Sequence, residues 1–83
     1  MKQEIIDRAN AAKRLQSNPD YIEIMAAIEA DIFASFRSVK IGDSETLNDI
    51  HSMSHGLKLV TDRLSKYIEI ANYAAKLEEI SDE

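Results

Sequence analysis

The fold turns on one stretch: Ile50-His51-Ser52-Met53-Ser54-His55-Gly56-Leu57-Lys58-Leu59-Val60-Thr61-Asp62-Arg63-Leu64-Ser65-Lys66-Tyr67. Ile50, Leu57 and Leu64 recur every seven residues, and Met53, Val60 and Tyr67 follow three after each. Ala71 and Ala74 extend the pattern, so an a/d repeat runs for about four heptads. Gly56 is the only helix breaker in the segment, which predicts a single helix over 44–80. At 1.5 Å per residue it would be roughly 55 Å long. Its last turns carry a second apolar strip, Ile70, Tyr73, Leu77 and Ile80, away from the seam.

Upstream, Ile41-Gly42-Asp43-Ser44-Glu45 reads as a break. Gly42 can take the left-handed conformation past a helix end, and Asp43 or Ser44 can cap the next helix. Residues 19–38 present Tyr21, Ile24, Met25, Ile28, Ile32, Phe33 and Phe36 at spacings of three and four, the stripe of an amphipathic helix. Before it stands Ser17-Asn18-Pro19-Asp20, with the only proline of the chain. Asn18 suits an N-cap, Pro19 the first helical position and Asp20 the positive end of the helix dipole. A first helix is therefore expected over 2–16, with Ile5, Ile6, Ala9, Ala12 and Leu15 facing inwards. Asn18-Pro19 marks either a break or a kink. No segment alternates in the manner of a strand.

These readings give an all-α fold, a single domain over 1–83. It is an antiparallel helical hairpin with a broken first arm, built of three helices at about 2–16, 19–38 and 44–80. The first two helices together match the length of the third. Charge supports that register: residues 1–16 sum to +2, 17–36 to −4, 37–66 to +1 and 67–83 to −4. A hairpin sets the basic first segment beside the acidic last one, although exposed pairs contribute little individually. A two-layer hairpin of 83 residues buries little surface, so self-association is expected. Its seam draws on Ile28, Ile32, Phe36, Ile50, Met53, Leu57, Val60, Leu64 and Tyr67, residues that must also form the intramolecular core.

Composition removes several function classes. The chain has no Cys, hence no disulfide framework and no thiolate chemistry. No apolar run is long enough to span a membrane, and Met1–Asp7 lacks the apolar core of a signal peptide, so a cytoplasmic location is expected. Two glycines cannot build a phosphate-cradling loop. Ser52 and Ser54 neighbour histidines, but adjacent helical positions do not face one another. Glu78-Glu79 reads as part of a solvated acidic end. No catalytic residue and no cofactor or small-molecule substrate is expected.

His51 and His55 lie four apart on one helix face, a spacing that can hold zinc given a third ligand. Asp62 is too far along the helix to supply it; a second subunit could, but the simpler reading is two solvated histidines. Lys2, Arg8, Lys13 and Arg14 are the densest basic group, a candidate nucleic-acid contact if copies of the first helix gather. Gly56, beside the seam, permits close approach of another helix or a bend, or is simply tolerated there. Met25 and Met53 read as core fillers.

The wording of Ala12-Lys13-Arg14-Leu15-Gln16-Ser17-Asn18-Pro19-Asp20-Tyr21 resembles small acidic helical proteins of tailed bacteriophages encoded near the terminase and portal genes. Those proteins show a basic helix, an Asn-Pro or similar break, an acidic helix, a polar loop and a long second arm. The present chain departs from them at Glu78-Glu79-Ile80-Ser81-Asp82-Glu83, which replaces a Gly-Lys-Leu-like ending. The resemblance implies a non-enzymatic role in virion assembly or DNA packaging, in the host cytoplasm or the virion, and assigns no residue roles. Sequence thus points to a structural or adaptor protein acting through protein–protein contacts. One alternative is a small-terminase-like nucleic-acid binder. Another is an acidic inhibitor of a host protein, docking through Glu23, Glu29 and Asp31.

Overall fold

A computed structural model describes residues 2–81. It contains three helices, α1 (Gln3–Ser17), α2 (Pro19–Ser38) and α3 (Ser44–Ser81), and no strand among the described residues. The all-α reading and its three segments stand, with helix ends within a residue of those expected. The acidic pair Asp82-Glu83 lies outside the described residues.

The junction of α1 and α2 is a break and is one residue long. Asn18 is extended, at φ −72° and ψ 121°. The cause is covalent: the Pro19 ring crowds the residue before it out of the helical region and brings no N–H of its own. Asn18 then serves both helices. Its backbone N–H donates to the Leu15 carbonyl at 3.1 Å, closing α1. Its side-chain Oδ1 accepts from the N–H groups of Asp20 and Tyr21 at 2.8 and 3.1 Å, opening α2. Such caps satisfy donors that a helix start leaves without partners.

The second junction is a tight turn. The Asp43 N–H donates to the Lys40 carbonyl at 3.0 Å, and Gly42 holds φ at +95°. A positive φ at the third position of such a turn favours glycine. Asp43 then caps α3, accepting from the Thr46 N–H at 3.1 Å. The Thr46 side chain, and then its backbone N–H, hold the Asp43 carboxyl below the usual carboxylate range.

Length matching organises the rest. The 38 residues of α3 correspond to about 57 Å, and the molecule is 62 Å long. The other two dimensions are 26 and 16 Å. That is two helices abreast and little more than one helix thick, given a helix diameter of about 10–12 Å. The radius of gyration, 18.1 Å, compares with about 12 Å for a compact domain of this length. The hairpin is a ribbon.

The two halves of the ribbon pack differently. In α1, Ala9 and Ala12 are buried, so small side chains let this helix lie close against the C-terminal half of α3. The Gln16 side-chain amide donates to the Ser65 hydroxyl at 3.2 Å across that contact. Ile5 and Ile6 are half-buried, whereas Leu15, expected to face inwards, is exposed. In α2 no residue is buried. Ile50, at the turn end of α3, completes the set of buried apolar residues among those described.

Two outcomes test these junctions. Asn18→Ala is expected to lower stability by about 1 kcal/mol in urea unfolding, because a side-chain cap is lost while the break imposed by Pro19 remains. For Asp43 the folded chain holds the carboxylate charged to lower pH than the unfolded chain does. Its contribution is therefore complete above roughly pH 4 and fades as pH falls through the lowered folded value. The melting temperature of the wild type should exceed that of Asp43→Ala at neutral pH, and the gap should close on acidification below that point.

Candidate interaction surface

The α2–α3 half of the ribbon does not close. Ile32 and Leu57 lie between two open grooves, since each lines both. The larger groove, about 470 Å³, is also bounded by Ile28, Asp31 and Ser35 on α2 and by Met53, Gly56 and Val60 on α3. The smaller, about 180 Å³, is bounded by Glu29, Phe33, Phe36 and Ser54. Both are open to solvent along the ribbon and lined mainly by apolar side chains.

The heptad seam is split by this geometry. Ile50 is 6% exposed, and Leu57, Leu64 and Tyr67 are half-buried, as are Ile32 and Phe36. Met53 and Val60 remain 54% and 53% exposed, and Ile28 39%. The inward row of the N-terminal half of α3 runs instead through Ile50, Ser54, Leu57, Thr61 and Leu64, all buried or half-buried. Apolar periodicity passes over Ser54 and Thr61 because they are polar. Thr61 tolerates the position because its hydroxyl donates to the Lys58 carbonyl at 2.9 Å within the helix. The a positions therefore serve the hairpin, and the d positions Met53 and Val60 turn outwards.

Gly56 lies half-buried in the larger groove. A Cβ added there would meet nothing within 4 Å. Packing within the chain does not require a glycine, although one in a helix interior costs about 1 kcal/mol relative to alanine. The C-terminal strip is also uncovered: Ile70, Tyr73, Leu77 and Ile80 are all exposed.

The four basic residues singled out in the sequence do not form one patch. At about 100° per residue, Lys13 lies roughly 140° around α1 from Arg8, and Arg14 roughly 120° the other way. Lys2 precedes the helix. Arg8 instead joins Arg63 of α3. Both guanidinium carbons lie 5.3 Å from the centroid of the Tyr67 ring, within cation–π range. No sequence signal pairs Arg8 with Arg63, because only the hairpin register brings them together. His51 and His55 are exposed, and among the described residues no three ligating side chains gather into a metal site. No described helix is long and apolar enough to cross a membrane.

Comparison with protein-family models, with curated proteins and with solved structures gives no match.

The contrast between inward and outward rows is testable on the chain itself. Ile50→Ala should cost about 2–4 kcal/mol in denaturant unfolding, as for a buried large-to-small change. Met53→Ser, on a side chain already half in water, should change the stability of the isolated chain far less, by about 1 kcal/mol at most.

Proposed function

We propose that this is a non-enzymatic structural or adaptor protein that works through helix–helix contacts, first of all with copies of itself. One observation carries the reading: the folded chain leaves many large apolar side chains uncovered. Among the described residues Ala9, Ala12 and Ile50 are the buried apolar ones, while Ile24, Phe33, Met53, Val60, Tyr73 and Ile80 are each more than half exposed. The accessible surface is 6673 Å². A compact monomer of 9.4 kDa would expose about 5,000 Å². Exposed apolar surface marks protein–protein contact sites where it is contiguous, as it is along the larger groove, which Ile28, Met53 and Val60 line together.

The resemblance of residues 12–21 to small helical phage proteins supports virion assembly or DNA packaging as the setting. The nucleic-acid reading is the weaker one, because Arg8, Lys13 and Arg14 are spread around α1 and Lys2 precedes it. Solution mass by light scattering after size-exclusion chromatography, at low and high salt, tests the proposal. A defined multiple of 9.4 kDa is the expected result. A monomer at both salts would overturn self-association.

A further inference from the structure

We infer that a second copy of the chain docks on the larger groove with its α3 antiparallel to the first, the two helices crossing at Gly56. The inference rests on the self-association proposed above and specifies its register.

The argument starts from one row on α3. Asp49, Met53, Gly56, Val60 and Arg63 are spaced four, three, four and three, so they share a stripe. Asp49 stands seven residues before Gly56, and Arg63 seven after it. A two-fold axis through Gly56 and perpendicular to α3 therefore places Asp49 of each copy against Arg63 of the other. The charges stand about 10 Å to either side of the crossing. Met53 and Val60 of one copy fall between them, against Val60 and Met53 of the other, as an isologous interface requires.

Three observations favour a second copy as the occupant. The stripe is self-complementary in charge: acid at one end, base at the other, apolar between. Neither Asp49 nor Arg63 has an ion pair among the described residues, although Lys58–Asp62 and Lys66–Glu69 do pair on the same helix. Arg63 is nonetheless held in place by the Tyr67 ring. Second, Gly56 is the residue at the crossing, where a missing side chain lets two backbones approach, and nothing within its own chain needs it to be glycine. Third, the chain as a whole exposes roughly 1,600 Å² more than a compact monomer, an excess about twice the roughly 800 Å² per partner of a standard interface.

Charge exchange at the two ends tests the register, read as solution mass with helix content from circular dichroism as the folding control. Asp49→Arg alone and Arg63→Asp alone each set like charges face to face. Both are expected to lower the mass towards 9.4 kDa without loss of helix. The double exchange restores opposite charges in the same register and should restore the wild-type mass. Gly56→Leu should keep the helix, since leucine is the stronger helix former and a Cβ there meets nothing within 4 Å, and should lose assembly. A wild-type oligomer whose mass ignores both single exchanges would overturn this register and leave self-association standing. Failure of the double exchange to rescue, with helix content retained, would also overturn it. A monomeric wild type would overturn both.

Discussion

A helix of 38 residues lying against a single arm can satisfy only one of its faces. The ribbon shape of the molecule follows from that constraint. The ribbon is 16 Å thick, so among the described residues no third layer covers the remaining faces. Apolar residues beyond one stripe are then exposed whatever their identity. α1 and α2 lie end to end along α3, and each uses its inward face on it.

The end-to-end arrangement depends on a single residue. Asn18 closes one helix with its backbone N–H and opens the next with its side chain, while Pro19 prevents the two from merging. With only one residue between them, α1 and α2 cannot turn back on each other and remain consecutive segments of one arm. The break also lets the two helices sit on α3 with different closeness. Ala9 and Ala12 draw α1 in, whereas α2, which buries no residue, stands further off and leaves grooves on both sides of Ile32 and Leu57. A continuous helix would have to share one rotation and one distance along its whole length.

Much of the fold was legible because it is written in local chemistry. Asn18-Pro19, Gly42 and Asp43 act through their own backbone geometry and their nearest neighbours, and all three do in the structure what their residue types allow. The candidate surface was legible only in outline. Heptad counting finds Met53 and Val60 and assigns them to a seam, but it cannot say on which side of the inward row they fall. That depends on the rotation of α3, which turns Ser54 and Thr61 inwards, two residues that a hydrophobicity pattern leaves out. The Arg8–Tyr67–Arg63 cluster was not legible at all, because its members are linked by the register of two distant segments and by no periodicity.

The polar residues in the inward row give the clearest view of how the chain divides its apolar content. Ser54 and Thr61 occupy positions where leucine would strengthen the hairpin by burying further apolar area. Met53 and Val60, which have that apolar surface, stand one residue earlier and face the groove. Exchanging the two pairs would give a more stable single chain with a more polar outer face. The observed order does the reverse: it weakens the contact between α2 and α3 and keeps apolar side chains beside Gly56, the one helical position with no Cβ. Folding of one chain accounts for neither choice. Both are what a helix needs if the stripe from Asp49 to Arg63 is covered from outside, and the shortfall within the hairpin is then offset by association.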